Sequence, residues 1–294
     1  MRAPEHPFLG AAFIALAASL WGLWPLWARD SSGGAATAVI AQGAAGLLTL
    51  PWAIVAARRR RHRVAGADVV RIVAMGACNA ANSWLYFRAL NQGATAPAVL
   101  SHYLAPVLVA LAAPVLLHEP RSPRTPVALL LALVGTAALL LAGPRAGADA
   151  SAVQRAVLLG GGSAIFYSAA TIIAKRCTQA WSDAEMFSYQ ALVAALLTAP
   201  FATLPAVGAA AWTRPLLGGV ISAVAPGLLF YAGLRRLPAE RAGVLTYLEV
   251  VAGVLVGWAA FGERPGVGAL VGGACILIAG LYVMSGPRAR RPTG

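Results

Sequence analysis

The sequence has few charged residues and a single lysine. Only 11% of its 294 residues are Asp, Glu, Lys or Arg, whereas soluble domains have about a quarter. The ten acidic residues are scattered, so no cluster of carboxylates is available to hold a metal for phosphoryl transfer. The three cysteines, Cys78, Cys177 and Cys275, show no metal or redox spacing. We expect them to be buried as small apolar residues.

Motifs of membrane-embedded enzymes and of ATP-driven pumps are also missing. There is no His-Glu-x-x-His sequence, and the stretch from Gly160 to Ile165 fails the Gly-x-Ser-x-Gly pattern at its last position. No Gly-x-x-x-x-Gly-Lys-Ser/Thr sequence for nucleotide binding occurs either. We therefore predict that the protein is not an enzyme, uses no cofactor or metal, and is not driven directly by ATP.

Apolar residues dominate what is present. They make up 59% of the chain, and the mean hydropathy is +0.72. A helix needs about 20 apolar residues to cross a bilayer core. Ten stretches approach that length, which predicts an all-α integral membrane protein with ten transmembrane helices and almost no soluble domain. They are 8–28, 35–57, 68–90, 94–117, 125–142, 154–174, 185–206, 214–234, 239–261 and 266–285.

The positive charge is distributed unevenly along the chain. Of the 23 basic residues, 22 are arginine and the only lysine is Lys175. If the N-terminus is cytoplasmic, 17 of them lie in inside segments and six in outside segments. The positive-inside rule therefore predicts that both termini are cytoplasmic, in the cell inner membrane. Membrane topology thus accounts for the net charge of +13, and we predict no nucleic-acid binding.

One segment of the chain occurs twice. Tyr86–Glu119 matches Phe230–Glu263 at an offset of 144 residues, so the pair Tyr103-Leu104 falls on Tyr247-Leu248. The two copies begin on opposite sides of the predicted membrane. The halves are therefore predicted to be inverted repeats of five helices each, with a substrate site where they meet. The predicted repeats span residues 1–147 and 148–294.

Because of these two segments the chain resembles the drug/metabolite transporter superfamily, and within it the ten-helix EamA-type members. Tyr103–Val107 leads to Glu119 in the first copy, and Tyr247–Val251 leads to Gly262-Glu263 in the second. His102–Pro106 partly matches the fourth-span pattern of bacterial aromatic amino acid exporters. In the ninth span many members carry Glu-Pro, where this chain has Glu and Val. The resemblance implies export of small metabolites, above all amino acids, through a central cavity.

We predict a transporter that acts as a monomer in the lipid bilayer and exports amino acids, including aromatic ones. A drug or another small metabolite is the alternative substrate, and a membrane-embedded enzyme is the alternative of another class. The cavity is predicted between the first, third, fourth, sixth, eighth and ninth spans.

Two titratable side chains lie near the middle of predicted spans. Glu249 is the only carboxylate deep in any predicted span, and His102 occupies nearly the equivalent position in the other half. Polar groups inside a membrane are unfavourable unless they face a cavity or bond to a neighbouring helix. The pair is therefore either a proton relay or substrate anchor, because histidine titrates near neutral pH, or a structural pair between packed helices.

The other candidate residues follow helical spacing. Asn79, Asn82 and Tyr86 share one helical face, and carboxamides can bind both ends of a zwitterion, although bonds between helices are the alternative. Ser163, Tyr167 and Thr171 follow one another at a spacing of four residues, so they also share a helical face. Aromatic residues are expected to contact the substrate side chain, or else to pack against lipid and core. They are Trp21, Trp24, Tyr103, Tyr167 and Tyr247.

Overall fold

Helices form all the regular secondary structure that is described. The computed structural model describes residues 7–28, 34–61, 63–92, 94–141, 149–201, 213, 216–218, 220–262 and 264–285. Among them only helices and their connections occur. The predicted boundary between residues 147 and 148, the repeat position Glu263 and both chain termini lie outside these residues.

Each half of the chain contributes a series of apolar helices. In the first half these are α1 (Pro7–Trp21), α2 (Pro25–Ala28), α3 (Gly34–Arg59), α4 (Gly66–Leu90), α5 (Thr95–His102), α6 (Ala105–Leu116) and α7 (Thr125–Leu141). In the second half they are α8 (Ala150–Cys177), α9 (Asp183–Thr198), α10 (Ala225–Arg236), α11 (Ala239–Thr246), α12 (Leu248–Phe261) and α13 (Val267–Met284). A 3₁₀ turn (Ala199–Phe201) follows α9, and a π-helical turn (Val220–Val224) precedes α10.

The described helices identify a multi-pass membrane protein. Six segments have the length and hydropathy needed to cross a bilayer: Val39–Arg59, Thr95–Leu116, Ala150–Cys177, Leu216–Arg236, Ala239–Phe261 and Val267–Met284. The helices α1 and α7 are shorter but also apolar, whereas α4 and α9 carry charged and carboxamide side chains. Large apolar side chains cover the outside of the bundle. Leu158, Leu196 and Leu281 are 67%, 74% and 74% exposed, as expected for residues in contact with lipid.

Two of the apolar segments are broken at equivalent positions. The first break separates α5 from α6 at Tyr103-Leu104, and the second separates α11 from α12 at Tyr247. The repeated Tyr-Leu pair therefore marks the place where each half interrupts a helix. A break leaves carbonyl groups without an intrahelical partner, and Pro106 supplies no N–H to α6. The hydroxyl of Tyr247 donates to the carbonyl of Tyr103 at 2.7 Å, so one break satisfies a polar group of the other.

The two halves pack into one bundle and do not form separate bodies. The helix α3 packs along α9, α7 along α13, α4 along α8, and α1 along α10. If each helix is replaced by its repeat equivalent in the other half, the α3–α9 and α7–α13 pairs are unchanged, whereas the α4–α8 pair becomes the α1–α10 pair. The packing thus has approximate two-fold symmetry, and every one of these contacts joins one half to the other.

Glycine allows α7 and α13 to approach closely. A Cβ atom placed on Gly135 would stand 2.6 Å from the backbone oxygen of Gly272 and 2.9 Å from the Cβ of Cys275. A backbone oxygen cannot move aside as the tip of a side chain can. Small residues at this contact therefore let the two backbones meet, as is usual between helices in membranes.

We expect Gly135→Ala to lower the free energy of unfolding by about 1–3 kcal/mol, because the added methyl group overpacks the contact. Gly273, also on α13, provides a matched control, since open space surrounds its Cβ position. Gly273→Ala should leave stability unchanged or raise it by up to about 1 kcal/mol through higher helix propensity. Thermal unfolding in detergent compares the two variants. Equal destabilisation by both would contradict the close contact.

Four ion pairs among the described residues lie at one end of the bundle, which we name the charged end. They are Arg60 with Glu185, Arg71 with Asp68 (2.5 Å), Lys175 with Glu119 (3.5 Å) and Arg235 with Asp183 (2.7 Å). The guanidinium of Arg60 also lies over the ring of Trp181, 4.7 Å from its centroid. This end contains the α6–α7 and α8–α9 connections and the junction between α10 and α11.

The pair of Glu119 and Lys175 joins the halves at the charged end. Glu119, in the α6–α7 connection, accepts a hydrogen bond from the N–H of Ala239, the first residue of α11, at 2.7 Å. The ammonium of Lys175 donates to the carbonyl of Leu234 at 2.6 Å and to that of Leu237. The only lysine of the chain therefore satisfies carbonyls at the end of α10, while Glu119 satisfies the start of α11.

Candidate functional site

A cavity of about 220 Å³ lies beside the two helix breaks, and we name it the break chamber. Its walls come from both halves of the chain. The residues that line it are Trp21, His102, Tyr103, Ala105, Pro106, Tyr167, Thr246 and Glu249. Irregular backbone at membrane depth is tolerated where it lines a cavity, which is the situation of both breaks.

A second cavity of about 160 Å³ adjoins the first, and we name it the carboxamide chamber. Trp21 and Tyr167 line both chambers. The polar residues on its wall are Gln42, Asn79, Ser83, Thr171 and Gln190, and the other aromatic residues are Phe187, Phe230 and Tyr231. The two chambers therefore lie side by side, and residues from both halves line each of them.

Glu249 lies in the first turn of α12, directly after the second break. Tyr103 lines the same chamber as Glu249. Among the described residues that line either chamber, Glu249 is the only one with a carboxylate. It therefore gives the site an acidic group that can bind a proton or attract a cation.

His102 is the last residue of α5 and is held from two sides. Its ring lies 4.3 Å from that of Tyr86 and 5.5 Å from that of Tyr167, measured between centroids. Its Nδ1 atom is 2.8 Å from the hydroxyl of Ser163, which in turn donates to Oδ1 of Asn82 at 2.7 Å. A hydroxyl has only one proton, so Ser163 must accept from Nδ1–H of the histidine. The neutral ring then keeps Nε2 as its acceptor.

The structure brings most of the residues predicted from the sequence into one region. Trp21, Asn79, His102, Tyr103, Tyr167 and Glu249 line a chamber. Tyr86 and Ser163 contact His102, and Asn82 accepts a hydrogen bond from Ser163; these three residues lie outside the described lining. Their roles in transport stay predictions.

Two further predicted residues, Trp24 and Tyr247, also lie outside the described lining of the chambers. Trp24 lies in the turn between α1 and α2. Tyr247 is fully buried behind Tyr103, with the two rings stacked at 5.6 Å between centroids. The structure also separates the two asparagines. Asn79 donates to Oε1 of Gln190 at 2.6 Å in the carboxamide chamber, whereas Asn82 belongs to the histidine network.

Several lining residues were missed by the sequence patterns. Gln42 on α3, Ser83 on α4 and Gln190 on α9 are polar residues within apolar helices, a signal that points to a cavity or an interhelical bond. Phe230 was detectable in another way, since it is the repeat equivalent of Tyr86. These residues come from the second, third, seventh and eighth predicted spans, two of which, the second and seventh, had not been expected to line the cavity.

The fold and the sequence both have known relatives. A solved crystal structure of a protein superposes with a TM-score of 0.79, covering 93% of this chain and 97% of that chain, at 20% identity. At that identity the likeness shows the fold alone. An uncharacterized transporter of Archaeoglobus fulgidus is 27% identical over 270 residues, which is 91% of this chain and 93% of the relative. The EamA-like transporter family matches twice, at residues 8–141 and 154–286. The chain therefore belongs to the EamA-like transporter family, which confirms the resemblance carried by its repeated segments.

Proposed function

We propose that the protein is a secondary transporter that exports amino acids, aromatic and other neutral ones, across the cell inner membrane by alternating access. The observation that carries the proposal is Glu249, placed at a helix break among aromatic rings in a chamber between the two repeats. A carboxylate attracts an ammonium group, and aromatic faces bind both cations and aromatic side chains. Repeat transporters bind their substrates at such a junction.

The proposed topology has ten spans, with both termini in the cytoplasm. Two inverted repeats, 1–147 and 148–294, would each supply five spans. The family match in each half and the two-fold packing support this division. The charged end would face the cytoplasm, in keeping with the arginine-rich inside segments. A monomer suffices, because one chain encloses both chambers.

The chambers suggest how an amino acid would lie. Its ammonium would approach Glu249. Its carboxylate would lie near the start of α6, where Ala105 and Pro106 line the break chamber and the helix dipole favours negative charge. Its side chain would pass between Trp21 and Tyr167 into the carboxamide chamber.

Alternating access requires that the two ends of the bundle open in turn. The contact of Glu119 with Lys175 and with Ala239 holds the halves together at the charged end. In the proposed cycle this contact breaks when the charged end opens, and it forms again when the end closes.

An exporter of drugs or other small metabolites is the second candidate. The observation that favours it is the chemistry of the break chamber itself, because a carboxylate among aromatic rings attracts any amine that carries an apolar group. Such a substrate needs no carboxylate of its own.

Flux into proteoliposomes tests the proposal. Purified protein is reconstituted and labelled amino acids are offered singly, with and without an imposed pH gradient. Saturable uptake that aromatic amino acids inhibit is the expected result. If the folded protein moves no amino acid but moves phenethylamine or another aromatic amine, the second candidate replaces the first.

The two asparagines should differ in their effects on transport. Asn82→Ala removes the acceptor of Ser163 and frees the ring of His102, so we expect the initial rate to fall by about 10-fold or more. Asn79→Ala removes the partner of Gln190 and should mainly raise KM for large side chains. Rates are compared at equal amounts of reconstituted protein. Unchanged uptake in both variants would remove the asparagines from the site.

A further inference from the structure

The carboxamide chamber contains two side-chain hydrogen bonds that join neighbouring helices. Nδ2 of Asn79 donates to Oε1 of Gln190 at 2.6 Å, and Nε2 of Gln42 donates to Oγ of Ser83 at 2.8 Å. The bonds cross from α4 to α9 and from α3 to α4. They fix the orientation of each carboxamide, and so they decide which polar atoms remain available to a ligand.

One polar atom of this chamber lacks a partner in the part of the chain that the structure describes. Oε1 of Gln42 is buried, and no donor among the described residues reaches it. Buried acceptors are almost always hydrogen-bonded in native proteins, and an exception calls for a specific explanation. Because Gln42 lines a cavity, the missing donor has a place from which to come.

The remaining walls of the chamber suit an uncharged aromatic ring. Trp21 and Phe230 lie 5.3 Å apart between ring centroids, and Phe187 and Tyr231 also line the space. The described lining residues of this chamber carry no charged side chain. A ring that enters past Trp21 and Tyr167 would therefore meet aromatic side chains and uncharged carboxamides.

We propose that the carboxamide chamber is the side-chain subsite of the transporter, and that Gln42 selects aromatic side chains carrying an O–H or N–H donor. The phenol of tyrosine and the indole of tryptophan have such a donor, whereas the ring of phenylalanine does not. The inference rests on the proposed function, since it takes an amino acid as the substrate whose backbone occupies the break chamber. A substrate without the donor leaves Oε1 of Gln42 unpaired, which is how polar sites reject analogues that lack one group.

Competition between three amino acids tests the subsite. In wild-type proteoliposomes we expect tyrosine and tryptophan to be bound about 10-fold or more tightly than phenylalanine, the effect of pairing one buried acceptor. Gln42→Met keeps the length of the side chain but removes the acceptor. It should raise KM for tyrosine and tryptophan and leave that for phenylalanine unchanged. Equal KM values in the wild type, or an unchanged ratio in Gln42→Met, overturn the proposal and leave water as the partner of Gln42.

A control and a second readout separate the possible failures. Thr49→Val removes a buried hydroxyl of the same helix that donates to backbone carbonyls of α3 and lies outside the described lining of the chambers, so the preference for tyrosine should persist. If the folded protein transports no amino acid, the proposed function fails, and the subsite is then tested alone with p-cresol. Calorimetric titration should show tighter binding to the wild type than to Gln42→Met. Equal binding by the two proteins would overturn the proposed subsite. Partitioning of p-cresol into detergent is the same in both titrations, so it does not affect the comparison.

Discussion

Replacing Lys175 with methionine is expected to lower the free energy of unfolding by about 3 kcal/mol, the lower part of the range for removing one partner of a buried ion pair. The side chains of Lys175 and Glu119 are only 11% and 8% exposed. Without the ammonium, Glu119 keeps a buried charge with no cation, and the carbonyls of Leu234 and Leu237 lose a donor. Unfolding of the detergent-solubilised protein measures the change.

Two further variants show whether the unpaired charge is the cause. Arg59→Met alters an exposed arginine at the end of α3 and should change stability by about 0.5 kcal/mol at most. Lys175→Met combined with Glu119→Gln removes both charges, while the amide oxygen can still accept from Ala239. The double variant should therefore recover much of the lost stability. If its loss equals the sum of the two single losses, the pair is not coupled.

The same double variant tests the role of this contact in alternating access. Cys177 is fully buried at the charged end of α8, so it can report on opening there. In a background with Cys78→Ala and Cys275→Ala, a maleimide should label Cys177 faster in the double variant than with the native pair. Labelling at equal rates would show that the pair does not hold this end closed.

The positions of the helices could be predicted because lipid leaves the backbone few choices. A helix satisfies its own hydrogen bonds, so an apolar stretch of sufficient length predicts one. The stretch predicted at 266–285 coincides with α13, and that at 154–174 lies within α8. In the stretch predicted at 185–206, α9 ends at Thr198 and a 3₁₀ turn continues to Phe201, while residues 202–206 lie outside the described part of the chain. Pro200 has no N–H to donate, which favours the end of the α-helix there.

The breaks could not be predicted from composition, although their sequence was visible. The repeat indicated that Tyr103 and Tyr247 are equivalent, and both spans were expected to continue through them. The structure instead places His102 and Glu249 at helix ends beside the two breaks. A hydropathy pattern records how apolar a segment is. It does not record the hydrogen bond from the hydroxyl of Tyr247 to the carbonyl of Tyr103, which gives the interrupted backbone a partner.

The carboxamide chamber was missed for a related reason. Spacing along one helix predicts which residues share a face, and it correctly put Tyr167 and Thr171 on a single wall. It does not tell which faces of different helices meet. Gln42 and Gln190 have no polar residue three or four positions away on their own helices, so the packing of α3 and α9 against α4 is what reveals that they belong together.

Glu249→Gln should abolish any driving effect of a pH gradient and weaken the binding of amine-bearing substrates about 10- to 100-fold, as expected for a lost charge-assisted hydrogen bond. The titratable side chains near Glu249 are His102, Tyr103 and Tyr167, which line the same chamber, and Tyr86 behind the histidine. A glutamine has nearly the same size and keeps a polar side chain, so the fold should persist. The loss would then belong to the charge.

The choice of assay separates the two tasks that Glu249 can perform. Exchange of labelled for unlabelled substrate at equal pH on both sides requires binding but no net proton movement. If Glu249→Gln keeps exchange and loses gradient-driven uptake, the carboxylate carries the coupled proton; if it loses both, the carboxylate binds the ammonium. Glu240→Gln is the control, since Glu240 is buried in the same apolar segment but accepts from the N–H of Ser122 outside the described lining of the chambers. Full retention of both activities in Glu249→Gln would exclude the carboxylate from either task, and the site would then depend on its aromatic and amide groups alone.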